Sequence, residues 1–282
     1  MRLAMCLVAM IWFNLGYSQS RILSENFESG LPASWSVVNY GSGNVWAAYN
    51  SSTYAVSGSY SLRYPYNSSN AADVYAFSEG VSMVSGKQYE LRFYHRVRST
   101  SYAEDYRVTI GTSQANTGNT DTLYSIVGNT STTYAQESGN TFTCPSTGTY
   151  YFGFQCYSGS NNWDVYIDSV EVFEYNSDDA SPSVLLDPTG AICNAGDSIR
   201  VNLMNAGVNS LSSVTINWSV NGTSQTSKSW TGTLAAGASE SVNLGYYAYG
   251  AGSQYDFEIA TTNPNGTTDP NLTNDTLRVS LN

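Results

Sequence analysis

Apolar and polar residues alternate with a period of two along most of the chain beyond residue 20. In the run KQYELRFYHRVR, Tyr89, Leu91, Phe93, His95 and Val97 share one parity, while Gln88, Glu90, Arg92, Tyr94, Arg96 and Arg98 share the other. Successive side chains of a strand point to opposite faces, so this pattern predicts a strand covered on one side only. The runs YRVTIG, TYYFGFQCYS and WDVYIDSVEVFE repeat the theme, with turn signals such as PSTG at Pro145–Gly148 between them. His95 falls on the inward parity with Phe93 and Val97, which predicts a buried, hydrogen-bonded histidine rather than a general base.

The rows become cleaner toward the C-terminus. Ile199, Val201 and Leu203 form one, and Val214, Ile216, Trp218 and Val220 a second; Tyr255, Phe257 and Ile259, then Leu277, Val279 and Leu281, follow. About seven short strands in roughly 100 residues is an immunoglobulin-like spacing, here without the Cys…Trp…Cys signature. NSDDASP at 176–182, acidic and ending in proline, reads as a linker between two segments. The expectation is therefore an all-β chain of two β-sandwiches in series.

Composition agrees. Hydrophobic residues make up 41% of the chain and aromatic residues 13%, enough for a real core, while charged residues reach only 12%. A net charge of −11 leaves no basic footprint for a nucleic-acid backbone. One histidine removes His-rich metal sites and most His-dependent catalysis, and no G-x-S-x-G, H-E-x-x-H or phosphate-binding glycine loop is present. The N-terminus carries Arg2, an apolar run from Leu3 to Phe13 and then small polar residues, the pattern of a secretory signal peptide at 1–18. A secreted or cell-surface protein whose mature chain does not insert in a membrane is expected. Cys144, Cys156 and Cys193 have no zinc spacing and are expected as unpaired thiols.

NFESGLPASW at Asn26–Trp35, Trp46, SGSYSL at Ser57–Leu62, YELRFYHRV, PSTGTYYFGF at Pro145–Phe154 and YIDSVEV at Tyr166–Val172 occur in that order. Together they make residues 24–175 resemble the cleaved adhesin or choice-of-anchor J family, MAM-like jelly rolls related in shape to carbohydrate-binding modules. The resemblance implies a jelly-roll β-sandwich at 22–175. CNAGDSIRVNLMNAGVNSLSSVTINWSVNG, LAAGASESVNL and NPNGTTDPNLTNDTLRV similarly resemble the CARDB-type immunoglobulin-like domain, implied at 183–282. Both module types are typical of exported Bacteroidota proteins, often carrying a sorting domain for type IX secretion that is not recognised in this sequence.

The first resemblance also implies a structural calcium ion. Glu28 and Asp168 stand at the family's carboxylate positions, and Ser57 and Ser59 are expected to add backbone carbonyls. The family's usual second aspartate is replaced by Ser169. The competing arrangement has Glu28 capping a turn and Asp168 accepting backbone hydrogen bonds. For a glycan, aromatic faces and nearby polar groups are the expected recognition elements. Trp46, Tyr49, Tyr54, Tyr94, Arg96 and Trp163 are the candidates, each weighed against a place in the core or at the sandwich edge. The expected function is non-catalytic adhesion to a glycan or an extracellular protein, with the second domain as spacer. The alternative is an accessory region of a secreted peptidase or other hydrolase.

Overall fold

The computed structural model of the protein describes residues 18–192, 195–250 and 254–282. The leader up to residue 17 and Cys193 lie outside those residues. The chain divides into two compact units, residues 20–175 and residues 176–282 together with 18 and 19. No α-helix occurs among the described residues, and the connections hold only three short 3-10 turns. No described helix is long and apolar enough to cross a membrane.

The first unit is a sandwich of two six-stranded sheets. One sheet runs β10 (Ala135–Thr143), β7 (Gln88–Val97), β12 (Val165–Tyr175), β4 (Tyr60–Tyr64) and β3 (Ala47–Asn50), with β1 (Gln19–Glu25) on β12. The other runs β2 (Ser36–Asn39), β5 (Val74–Phe77), β11 (Gly148–Cys156), β8 (Glu104–Gly111) and β9 (Asp121–Asn129), with β6 (Val81–Met83) on β11. Neighbours far apart in sequence, such as β7 and β12, pair antiparallel, as a jelly roll requires. The parity read from the sequence holds along β7: Tyr89, Leu91, Phe93, His95 and Val97 are buried, and Arg92, Tyr94 and Arg96 are half-exposed on the opposite face.

Aromatic contacts organise the first core. Trp35 stacks on Phe154 with centroids 5.9 Å apart, Phe27 meets Trp35 edge-on at 5.3 Å, and Phe93 meets Phe154 edge-on at 5.7 Å. Burying each such ring contributes about 1.5–3 kcal/mol. Phe27 reaches its place through a left-handed backbone with φ 61°, a conformation costing about 1–2 kcal/mol in a non-glycine residue. The Glu25 carboxylate accepts the Phe27 N–H and holds the bend. Cys144 and Cys156 are buried and unpaired, and burial pushes the Cys156 thiol up to about 12.

The second unit is a smaller sandwich. Three strands, β13 (Ala180–Asp187), β14 (Gly196–Asn205) and β18 (Ser239–Ala248), face β16 (Thr223–Ser224), β15 (Leu211–Val220), β19 (Tyr255–Thr262) and β20 (Thr276–Leu281), with β17 (Lys228–Leu234) on β15. Its core joins Ile199, Val201 and Leu203 to Ile216, Val220, Phe257 and Ile259. The stretch at 176–182 is not a free linker. Asn176, Asp179 and Ala180 are buried, and β13 begins inside it. Charge and proline suggested exposure, but the carboxylates and amides here bond one another and neighbouring backbone within the unit. Ser18, placed in the leader by the sequence, donates its N–H to the Ala206 carbonyl at 2.8 Å.

Candidate carbohydrate-binding face

Outward residues of β7, β12 and β4, with the connection after β3, form a strip of tyrosine and arginine. Tyr54 lies flat on Tyr166 with centroids 4.5 Å apart and planes 4° from parallel. The Arg96 guanidinium sits 5.0 Å from the Tyr54 centroid and 5.7 Å from that of Tyr134, and Arg63 sits 4.4 Å above Tyr49. Cation–π contacts of this kind contribute about 0.5–2 kcal/mol each, depending on exposure. Tyr94 shares the face, opposite Asp168 in the β7–β12 register. The sequence candidates Tyr49, Tyr54, Tyr94 and Arg96 are therefore brought to one face. The Tyr54 ring is already engaged there by Tyr166 and two arginines.

Arg98 links this strip to Trp163, its guanidinium lying 5.7 Å from the Tyr54 ring and 5.4 Å from the Trp163 ring. Asp164, fully buried, is the hub beneath. It accepts Arg63 Nε at 3.1 Å, Arg98 at 2.9 Å, the Tyr166 hydroxyl at 3.0 Å and the Tyr66 backbone N–H at 3.0 Å. A buried carboxylate needs this many donors to offset its lost hydration.

Above the hub three connections converge at one end of the sandwich. Tyr66 comes from the β4–β5 connection, Tyr102 from β7–β8, and Asn161, Asn162 and Trp163 from β11–β12. They line a cleft of about 90 Å³. The Trp163 ring stands 5.3 Å from Tyr102, nearly perpendicular, and 6.3 Å from Tyr66, tilted by 60°. Tyr66 and Tyr102 keep 41% and 40% of their surface exposed. The backbone is nonetheless fixed: Asn161 N–H donates to the Asn67 carbonyl at 2.8 Å, and Asn44 Nδ2 to the Tyr66 carbonyl at 2.7 Å. Asn161 takes the left-handed φ of 61°, which asparagine tolerates better than most residues. Wider clefts on the second unit, of about 290 and 490 Å³, have mostly polar linings, and the one aromatic residue among them, Trp218, is buried. Chemistry rather than volume singles out the smaller one.

Trp46 requires a correction. It is 2% exposed, its indole N–H donates to the Val74 carbonyl at 3.1 Å, and its ring rests against Tyr64. The loop-rich sequence around it suggested a surface position, but the strand that follows turns the indole inward. Tyr66 and Tyr102 were missed because each sits in a connection with no alternating pattern to give its direction.

Glu28 and Asp168 do converge on the segment 56–60. Glu28 accepts the N–H groups of Ser59 and Tyr60 at 2.9 and 2.8 Å; Asp168 accepts those of Val56 at 2.7 Å and Ser169 at 2.6 Å. Gly58 is required here, since a Cβ on it would stand 2.4 Å from the Glu28 carboxyl carbon. Burial, and in smaller part the charge of Glu28, raises the Asp168 carboxyl, against the pull of the bonded N–H groups. The Ser59 carbonyl accepts the Ser51 N–H, and Ser57 is exposed.

His95 is enclosed. Its Nε2 lies 2.9 Å from Glu137 and 3.3 Å from the Tyr124 hydroxyl, its Nδ1 bonds Tyr106, and burial lowers its pKa. Glu104, fully buried under the Trp163 backbone, is pushed up to about 8 by burial, and the nearby Asp164 charge adds to the rise.

A carbohydrate-binding-domain family model matches residues 19–156. No curated protein matches the chain. Among solved structures, the K3 cleaved adhesin domain of Lys-gingipain from Porphyromonas gingivalis W83 is 21% identical and aligns over 55% of this chain and 99% of its own, with a TM-score of 0.47. The CBM22-1 xylan-binding domain of Paenibacillus barcinonensis Xyn10C is 13% identical over 56% of this chain and 96% of its own, with a TM-score of 0.41. TmCBM61, solved with β-1,4-galactotriose, is 14% identical over 52% and 93%, with a TM-score of 0.40.

Proposed function

We propose that the first unit binds a carbohydrate chain, without catalysis, in the cleft of Tyr66, Tyr102, Asn161, Asn162 and Trp163, as part of an exported adhesion protein. The carrying observation is the set of half-open aromatic rings held at fixed angles beside two side-chain amides. Ring faces suit the apolar C–H side of a pyranose, and amides both donate to and accept from hydroxyls. The carbohydrate-binding family match over residues 19–156 supports the same reading. The Arg98–Tyr54–Arg96 strip would extend the surface for a longer chain, and the second unit would serve as spacer. An accessory role beside a hydrolase would use the same cleft.

The proposal includes a structural calcium ion at the Glu28–Asp168 loop. The convergence of two carboxylates, one fully buried, on one short segment of chain supports it. The test is a glycan array probed with the full chain, the Trp163→Ala variant, and the full chain in chelator. Binding to a defined glycan class that disappears in Trp163→Ala supports the reading, and an array without hits refutes it. Signal unchanged in chelator, together with an unchanged unfolding temperature of the first unit, removes calcium from the proposal.

A further inference from the structure

Asp179, Asp269 and Asp275 of the second unit are all buried, and one carboxylate oxygen from each lies within 4.8 Å of the other two. Asp179 immediately precedes β13, Asp275 immediately precedes β20, and Asp269 stands in the connection from β19 to β20. The hydrogen bonds around them do not close. Asp269 accepts the N–H groups of Ala180 at 3.1 Å and Asn271 at 3.0 Å. Asp179 accepts the side-chain amides of Asn274 at 2.9 Å and Asn176 at 3.4 Å. Asp275 Oδ1 has no donor, and the side-chain oxygens of Asn176 and Asn274, on amides that rest against Asp179, have no partner either. Asn176 is only 2% exposed and Asp275 only 8%. The ion pairs described in this unit, Arg200–Asp187 and Arg278–Glu258, leave the three aspartates without a basic partner.

We propose that the second unit binds one calcium ion between Asp179, Asp269 and Asp275, with the side-chain oxygens of Asn176 and Asn274 filling out its shell. Every available ligand is a hard oxygen, the chemistry of calcium rather than of zinc or copper. Calcium–oxygen distances of about 2.3–2.6 Å keep the ligands of one ion within about 5 Å of one another, and the three carboxylate oxygens lie inside that limit. Magnesium demands a tighter octahedron and keeps its water, a poor fit to so enclosed a position. Half-turns of the two amides exchange their nitrogen and oxygen and aim both oxygens at the carboxylate group, a change that leaves their shapes intact. The ion would join the first strand of one sheet to the last strand of the other, where the Thr261 hydroxyl of β19 already donates to the Ala180 carbonyl at 2.5 Å.

This site is independent of the glycan reading and of the Glu28–Asp168 loop, and variants separate the three. The full chain, stripped with EDTA, is titrated with CaCl2 by calorimetry and then unfolded by heat with and without calcium. Asp269→Asn/Asp275→Asn is expected to lose one equivalent of calcium, or to bind it at least ~10-fold more weakly, whereas Glu28→Gln retains it. Calcium raises the unfolding temperature of the wild-type second unit in step with the logarithm of its free concentration and leaves that transition of the double variant unmoved. Since asparagine removes repelling charge, the calcium-free double variant unfolds no lower than the calcium-free wild type, so lost binding is not lost folding. Asn176→Asp adds a carboxylate and tightens calcium binding. An equal number of calcium ions bound with equal affinity by wild type and double variant, or replacement of calcium by equimolar MgCl2 with undiminished heat, overturns the proposal.

Discussion

Trp46 and Trp163 place the same indole in opposite environments, and their truncations separate stability from binding. Trp46→Ala opens a cavity beside Tyr64 and strands the Val74 carbonyl, so it should cost about 3–5 kcal/mol in chemical denaturation. Nothing in the local sequence distinguishes the two tryptophans: both lie in loop-rich stretches, and only the turn of the following strand decides which is buried. Glu104 supplies a pH prediction at the same scale. Its folded carboxyl, near 8, holds its proton more tightly than the ordinary 4.5 of an unfolded chain. The stabilisation is therefore whole below about pH 4.5 and is lost as pH rises through about 8, on the order of a few kcal/mol. Urea melts of the first unit's signal should show this decline, and Glu104→Gln, neutral at every pH, should flatten it. A wild-type stability that rises between pH 5 and 8, with the same rise in the variant, would contradict the assignment.

Among the elements, β7 and β12 show what period-two alternation can and cannot carry. The inward row of β7 was legible because one face of the sheet meets the core and the other meets solvent. The register shift in β12 between Asp168 and Glu171, where Ser169 takes φ 48°, was not, since a bulge leaves no mark in hydropathy. Neither was the role of Asp164, one residue before β12, which depends on arginines from β4 and the end of β7. Asp164→Ala leaves Arg63 and Arg98 without their carboxylate and frees the Tyr66 N–H. A loss of about 3 kcal/mol is expected in denaturant melts, with a weaker glycan response because Tyr66 and Trp163 lose their common support. The segment 176–182 is the converse case. Its acidity and proline suggested a tether, while Asp179 and Ala180 are held by partners some 90 residues away, at Asn274 and Asp269.

Across the whole molecule, the two units own separate hydrophobic clusters with no residue in common. Each should unfold with its own transition in differential scanning calorimetry. Trp46→Ala lowers one transition and Ile216→Ala the other, and a single transition displaced by both variants would count against two cores. Architecture was readable at this scale because strand rows and turn signals recur over long stretches. The proposed face was only half readable: Trp163 and the Tyr54–Arg96 strip lie on strands or beside them, whereas Tyr66 and Tyr102 join Trp163 only through the meeting of three connections. The central claim is that this meeting point holds sugar. Its most direct test is calorimetric titration of an array-selected oligosaccharide into wild type and Trp163→Ala at matched folded concentration. Truncation of a central aromatic contact should weaken binding by at least ~30-fold, about 2 kcal/mol, with the unfolding temperature of the first unit unchanged. Equal affinity in both proteins would place the ligand elsewhere and contradict the account.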